Sequence, residues 1–189
     1  MTRGLVPYRD LWDHKGPLLY YLQFAGISLH PASTAGIGIL EALALSAAFF
    51  LLYRIITSFA SSPISLGIAL LSLVFVAHFS EGGNLCESWT LLPLAGAHYP
   101  TWRWSEDRSA RWCAPLLGIC FACIFWLRPN MAVFPPVAFL IVLYVINKER
   151  GPGASLKIFA FAATTALALT GIVLALPRGF PLALTSLAA

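Results

Sequence analysis

Three short polar segments interrupt an otherwise apolar chain, and they contain many of the side chains that could act as an acid, a base or an anion ligand. They are positions 8–17 (YRDLWDHKGP), 80–87 (SEGGNLCE) and 128–130 (RPN). Grouped acidic and basic side chains are typical of sites that bind a charged substrate and move a proton. The three segments can form one site if they lie on the same side of a membrane.

The first and third segments together offer two paired carboxylates and three cations. Asp10 and Asp13 could each deprotonate an attacking hydroxyl as a general base. Arg9 and Arg128 can hold a phosphate through two parallel N–H bonds, and Lys15 can hold it as a point charge. The pattern predicts Asp10 and Asp13 as catalytic residues. The alternative is a solvated turn beside the membrane, whose charges pair locally.

The other polar residues of these segments are predicted to contact the substrate. Tyr8 could stack on a sugar ring, although aromatic residues of membrane proteins more commonly belong to the interfacial belt. The predicted substrate-binding residues are Tyr8, Arg9, His14, Lys15, Glu81, Asn84, Glu87, Arg128 and Asn130. These residue types leave the metal requirement open, so a divalent metal is compatible with the prediction but not part of it.

The composition excludes a water-soluble enzyme. Hydrophobic residues make up 59% of the chain and charged residues 11%, with a mean hydropathy of +0.79, whereas an average soluble domain has roughly 25% charged residues. The net charge of +4 does not indicate nucleic-acid binding, because the basic residues occur in short clusters between apolar runs. We therefore expect an all-α integral membrane protein with a single domain over positions 1–189.

Six apolar runs are predicted to cross the bilayer as the helices of a multi-spanning bundle. A spanning helix needs about 20 apolar residues. The six runs are Thr34–Tyr53, Ile64–Phe79, Leu85–Pro100, Trp112–Leu127, Met131–Ile146 and Leu156–Leu176. Glu41, near the middle of the first run, is predicted to face the bundle interior. Pro93 in the third run and Pro135-Pro136 in the fifth predict interrupted helices.

The segment Pro17–His30 is predicted to be a short helix at the membrane interface. As a helix its 14 residues reach only about 21 Å, which is too short to cross the bilayer. Pro17 suits a first helical turn, and Pro31 discourages continuation. Positions 1–16 then form a loop that carries the first polar segment.

The distribution of lysine and arginine predicts which loops are cytoplasmic. Loops after the first, third and fifth spans have seven basic residues, and loops after the other three spans have two. The positive-inside rule places the first set in the cytoplasm, so the three polar segments share the outer face of the cytoplasmic membrane. If Pro17–His30 crossed instead, the bias would be ten against two. Charge thus favours a crossing helix and length an interfacial one, and the prediction follows length.

The stretch from Gly4 to Tyr20 (GLVPYRDLWDHKGPLLY) resembles the first outer loop of multi-spanning glycosyltransferases of the GT-C fold. These include the protein O-mannosyltransferases and the aminoarabinose transferase that modifies lipid A. Their pattern is roughly G-x-x-P-Y-x-D-x-x-x-H-K-x-P-x-x-Y. Gly83-Asn84-x-x-Glu87 and Arg128-Pro129-Asn130 are similar to the second and third outer loops of that group. Gly16 stands where the family more often has a proline.

The resemblance implies a transferase that takes a sugar from a polyprenyl-phosphate carrier. It implies that Lys15 contacts the carrier phosphate and that Asp10 and Asp13 are candidates for the acidic base. The acceptor would be a glycan, a lipid or a protein at the outer face of the cytoplasmic membrane. Members of the family begin with a span that would precede Met1 and run to several hundred residues. The resemblance therefore also implies that this chain is part of a longer protein.

Two other functions remain open at this stage. Interrupted helices together with the intramembrane Glu41 are also compatible with a transporter or flippase of a lipid-linked or anionic substrate, although no internal repeat is present. A non-catalytic fragment that resides in the membrane is the third alternative. Vesicle flux without a glycosidic product would indicate the transporter.

Overall fold

A computed structural model describes residues 16–31, 33–79, 85–106 and 112–185, and this part of the chain is entirely helical, without a β-strand. The all-α prediction is confirmed for these residues. The α-helices are α1 (Pro17–Leu29), α2 (Ala35–Ile56), α3 (Ser62–Phe79), α4 (Cys86–Glu106), α5 (Cys113–Leu127), α6 (Phe134–Arg150) and α7 (Pro152–Thr185). A 3-10 helix, Pro129–Val133, joins α5 to α6.

Three segments are long and apolar enough to cross a membrane. They are Ala35–Ile56, Pro129–Arg150 and Pro152–Ala175, and Ser62–His78 and Cys113–Leu127 are shorter apolar helices. The 22 residues of Ala35–Ile56 span about 33 Å as a helix, against roughly 30 Å of hydrocarbon. Large apolar side chains on these helices are exposed, with Leu71 at 70% and Leu167 at 71%. Such surfaces are stable against lipid rather than water.

Consecutive long helices run in opposite directions, so their ends meet in two groups. Buried Leu19, Ile37, Trp89 and Leu127 pack together where α2 and α4 begin and α5 ends. We call this the Arg128 end. A second cluster, which includes Trp104, Cys113 and Ile146, packs where α4 and α6 end and α5 begins. We call this the Arg103 end.

Both ends of α1 lie at the Arg128 end. The Gly16 amide donates to the Leu127 carbonyl at 3.3 Å. At the other end of α1, a Cβ on Gly26 would lie 2.7 Å from Ile37 Cα, and a Cβ on Gly36 would lie 2.0 Å from the Gly26 carbonyl oxygen. The backbones of α1 and α2 approach this closely only because these positions have no side chain. Helix α1 therefore starts and finishes at the same level.

Helices α4, α5 and α7 form the most closely packed part of the described structure. A Cβ on Gly118 of α5 would lie 2.1 Å from both the Ala162 carbonyl oxygen and Thr165 Oγ1 of α7. The Thr165 hydroxyl is 3.3 Å from the Pro115 carbonyl, to which it can donate. Nearer the Arg128 end, Trp126 Nε1 donates to Thr170 Oγ1 at 3.1 Å. Close backbone contact and side-chain hydrogen bonds together fix α7 against α5.

The helix bounds differ from the predicted spans mainly at prolines. Helix α4 continues through Pro93 and Pro100 to Glu106, although a proline removes one helical hydrogen bond. Pro135 and Pro136 do not interrupt a helix, because they occupy the first turn of α6, where the missing N–H has no helical partner to lose. The predicted interruptions at Pro93 in the third span and at Pro135-Pro136 in the fifth are therefore both wrong, and the 3-10 helix precedes the latter pair.

The start of α7 lies four positions before the predicted start of the sixth span. Gly151 has a φ of +83°, a backbone conformation that suits glycine, and its amide donates to the Asn147 carbonyl at 3.0 Å. Pro152 follows as the first residue of α7. A glycine after α6 and a proline opening α7 make a tight reversal.

We predict that Gly118→Ala destabilises the fold and that Gly171→Ala does not. The added methyl at position 118 meets a backbone carbonyl that cannot move aside, and overpacking of this kind costs about 1–3 kcal/mol. Gly171 on α7 has open space around a built Cβ. Thermal unfolding of the detergent-solubilised chain measures both variants. Equal unfolding temperatures would contradict the α5–α7 contact.

Candidate functional site

Three predicted site residues fall in the described part of the chain: Glu87, Arg128 and Asn130. The other eight lie outside the described residues, so their predicted roles stay predictions. These eight are Tyr8, Arg9, Asp10, Asp13, His14, Lys15, Glu81 and Asn84. The site is therefore built from the second and third polar segments and from Gly16, which follows Lys15 directly in the chain.

The Arg128 side chain is the centre of a polar cluster at the Arg128 end. Its guanidinium forms an ion pair with the Glu87 carboxylate, and its Nε donates to Asn130 Oδ1 at 3.2 Å. Its Nη1 lies 3.5 Å from Cys86 Sγ, and the Cys86 thiol donates to Glu87 Oε2 at 3.0 Å. The structure thus brings Glu87, Arg128 and Asn130 together.

Local backbone geometry places these side chains at the ends of helices. Arg128 follows α5 in an extended conformation, with φ −155° and ψ 93°, while its amide still donates to the Ile124 carbonyl. The Arg128 carbonyl accepts from the Met131 amide at 3.0 Å and so begins the 3-10 helix. Glu87 is in the first turn of α4, where the helix dipole favours a carboxylate. Two helix termini therefore face each other through opposite charges.

Gly16 connects the first polar segment to this cluster. A Cβ at Gly16 would lie 1.8 Å from the Trp126 carbonyl oxygen and 2.8 Å from that of Leu127. No residue with a side chain fits here without moving the end of α5. Gly16 is buried, and its amide binds the residue that precedes Arg128. The chain therefore enters α1 directly beside the Arg128 cluster.

An apolar cavity of about 630 Å³ extends from this cluster toward the Arg103 end. We call it the apolar trough. Its lining residues come from α1, α2, α4 and α5, and include Leu18, Leu40, Leu51, Trp89, Tyr99, Leu116, Cys120 and Leu127. From Leu116 to Leu127 the trough follows α5 for about 16 Å. At the Arg128 end, the last residue of α5 that lines the trough is Leu127, which directly precedes Arg128.

The packing of the helices gives the trough one open side. Helices α2 and α5 both pack on α4, and α1 contacts both of them. Helix α4 therefore forms the floor, α2 and α5 form the walls, and α1 closes the Arg128 end. Leu43 of α2 lines the trough and is 63% exposed, so among the described residues the trough opens to the surface beside α2.

Glu41 is buried in α2, with 7% of its surface exposed. It lies on the same helix face as the buried Ile37 and Ala48. The sequence-based prediction that this carboxyl faces the protein interior is confirmed. Because Glu41 belongs to the packed face of α2 and not to the residues that line the trough, we assign it no part in the cluster.

Sequence reasoning missed two parts of the site. Cys86 had no assigned role, although its thiol contacts both Glu87 and Arg128. Its position one residue before Glu87 at the start of α4 was the available signal. The trough was also missed, because its lining residues come from four helices and look like ordinary core residues in the sequence.

The arrangement can bind an anion that also has a long apolar group. Arg128 supplies a forked donor that matches a phosphate oxygen pair, and the Arg128 side chain keeps 30% of its surface exposed. The trough offers apolar walls directly below it. Among the described residues, no three His, Cys, Asp or Glu side chains group in a way that could hold a metal ion.

Comparison with protein-family models, with curated proteins and with solved structures finds no match to this chain.

We predict a modest, salt-dependent coupling between Glu87 and Arg128. Both side chains are partly exposed, and such pairs typically contribute about 0.2–1 kcal/mol. A double-mutant cycle with Glu87→Gln, Arg128→Gln and the double variant, measured by unfolding in detergent, gives the coupling. It should shrink at high ionic strength because salt screens exposed charges. Arg54→Gln, which removes a positive charge at the opposite end, is the control. Additive effects of Glu87→Gln and Arg128→Gln on stability would contradict the ion pair.

Proposed function

We propose that this chain is a multi-pass protein of the cytoplasmic membrane whose Arg128 end faces outward. Support comes from the helices that are long and apolar enough to cross and from the distribution of charge. Among the described side chains, Arg54, Arg103, Lys148, Arg150 and Lys157 lie at or near the Arg103 end. Among the described lysine and arginine side chains, Arg128 alone lies at the Arg128 end. The positive-inside rule favours this orientation.

In this proposal the chain is a glycosyltransferase that uses a polyprenyl-phosphate sugar. The main support for this activity is the apolar trough, which ends beside the guanidinium of Arg128. A polyprenyl-phosphate has the matching shape, an apolar chain with an anionic head. Arg128 and Lys15 would hold the phosphate, and the prenyl chain would lie in the trough. The resemblance of positions 4–20 to the GT-C group is the second support.

The proposed reaction is a single displacement at the sugar. Asp10 or Asp13 takes the proton of the acceptor hydroxyl, and the resulting oxygen attacks the anomeric carbon. The bond between the anomeric carbon and the phosphate oxygen breaks, and polyprenyl phosphate leaves with the bonding electron pair. Arg128 and Lys15 stabilise the charge on this phosphate. The acceptor is a glycan, a lipid or a protein, and Tyr8, Arg9, His14, Glu81, Asn84 and Asn130 are the proposed contacts to sugar and acceptor.

Glu87 has a specific place in this proposal. Its carboxylate already forms an ion pair with Arg128. An incoming phosphate must therefore replace this carboxylate at the guanidinium. The phosphate offers more acceptor oxygens than the carboxylate does, and it brings the binding energy of its apolar chain. The exchange favours lipid-linked phosphates over small free anions.

We predict that Asn130→Cys is labelled from outside the cell and Arg54→Cys is not. Both side chains are exposed and they lie at opposite ends of the described helices. The variants are made in a chain whose four native cysteines are replaced, and intact cells are treated with a membrane-impermeant thiol reagent. Permeabilised cells provide the control for reactivity. Labelling of Arg54→Cys alone in intact cells would reverse the proposed orientation.

We predict that Arg128→Ala lowers sugar transfer about 100-fold, because one preorganised donor to the leaving group is lost. Arg128→Lys should keep part of the activity, since it retains the charge but not the fork. Asp10→Asn, Asp13→Asn and Lys15→Ala test the other proposed roles. The assay follows transfer of labelled sugar from a polyprenyl-phosphate donor in membranes that contain the chain, with Arg54→Gln as the control.

Two results would contradict the assignment of these roles. The first is normal transfer by all the Asp10, Asp13, Lys15 and Arg128 variants. The second is movement of the labelled lipid across reconstituted vesicles with no glycosidic product, which would indicate a transporter or flippase.

A further inference from the structure

A second apolar space lies between α6 and α7, away from the Arg128 cluster. At the Arg103 end it measures about 510 Å³ and is lined by Leu140, Leu143, Tyr144, Asn147, Pro152, Ser155, Leu156 and Phe159. A further space of about 340 Å³ shares the lining residue Phe159 and lies nearer the opposite end, where residues of α5, such as Phe121, line it together with α6 and α7. We call the two together the α6–α7 crevice. Its walls are almost entirely apolar side chains.

The crevice is longer than the hydrocarbon depth of one leaflet, so an acyl chain of that leaflet fits along it. Its lining residues on α7 extend from Pro152 to Leu167, which corresponds to about 22 Å of helix. One leaflet of a bilayer has roughly 15 Å of hydrocarbon. Leu140, Leu156 and Leu167 are all more than half exposed, so no described part of the chain covers the crevice.

The mouth of the crevice is polar and positively charged. Lys148 Nζ lies over the ring of Tyr144, 5.1 Å from its centroid, so this ammonium stands at the edge of the lining. Asn147 and Ser155 both line the crevice there, and Ser155 Oγ donates to the Pro152 carbonyl at 3.0 Å. Lys148 therefore places a cation beside this opening.

The charge of this opening selects among possible lipids. Lys148, Arg150 and Lys157 are exposed cations near the α6–α7 turn, and Glu149 is the acidic side chain between the first two. Basic residues next to a bilayer attract anionic headgroups with about 1 kcal/mol for each residue. A zwitterionic headgroup brings no net charge to this opening. The opening is therefore complementary to an anionic phospholipid.

We infer that the α6–α7 crevice binds an anionic phospholipid of the leaflet at the Arg103 end. One acyl chain occupies the crevice, and Lys148 holds the phosphate at its mouth. The inference rests on the membrane-spanning part of the proposed function and not on the glycosyltransferase activity. The site is separate from the apolar trough, since the two have no lining residue in common.

Native mass spectrometry of the detergent-purified chain tests this site. The chain is mixed with equal amounts of phosphatidylglycerol and phosphatidylcholine that have identical acyl chains, and the retained lipid is counted. We expect preferential retention of phosphatidylglycerol. Lys148→Gln should lower this preference about fivefold, the equivalent of about 1 kcal/mol. Arg54→Gln removes a charge from the same end on a helix that does not line the crevice, and should leave the preference unchanged.

A filling variant separates the acyl-chain contact from the charge. Ser155→Trp should lower retention of both lipids, because the indole occupies the crevice, and its unfolding temperature shows that the helices still pack. Equal retention of the two lipids by the unmodified chain would overturn the inference. So would an equal loss of preference in Arg54→Gln, which would indicate a diffuse charge effect. A lipid-free dimer that Ser155→Trp dissociates would show that a second copy of the chain covers the crevice.

Discussion

The bond between the Gly16 amide and the Leu127 carbonyl constrains the whole Arg128 end. It holds the start of α1 against the end of α5, and the contact between Gly26 and Gly36 holds the other end of α1 against α2. A thirteen-residue helix that is fixed at both ends cannot align with the long helices. It lies over their ends instead. The apolar trough, the Arg128 cluster and the entry point of the first polar segment all depend on this arrangement.

Much of the helical pattern could be predicted from the sequence, because a long apolar run in lipid must satisfy its backbone N–H and C=O groups internally, and a helix does so. Each of the six predicted runs overlaps one of the described helices α2 to α7, and three of the described segments are long and apolar enough to cross a membrane. The errors occurred where local rules conflict. Helix α4 continues past Pro100 because packing of Trp104 against Phe139 outweighs one lost hydrogen bond. Pro135 and Pro136 look like helix breakers within a run of apolar residues. They start a helix here because the 3-10 helix Pro129–Val133 separates α5 from α6, and the residue types alone do not indicate this 3-10 helix.

The candidate site was predictable only in part. Antiparallel helices bring the start of α4 and the end of α5 to the same level, so the meeting of Glu87 with Arg128 follows from topology and charge. The contact of Cys86 with both residues depends on side-chain directions in one helical turn, which the residue types do not specify. The apolar trough depends on spacing between four helices. Such spacing is set by small residues such as Gly96, where a Cβ would lie 2.9 Å from Cys120 Sγ.

The open side of the apolar trough, beside Leu43 of α2, has a consequence for any ligand that uses it. In a membrane that side meets hydrocarbon rather than water. A molecule with a long apolar tail reaches it by diffusing within the plane of the bilayer. Its occupancy then follows its mole fraction among the lipids and not its molarity in the buffer. Water-borne competitors meet only the polar mouth beside Arg128, so even abundant soluble anions would displace such a molecule poorly.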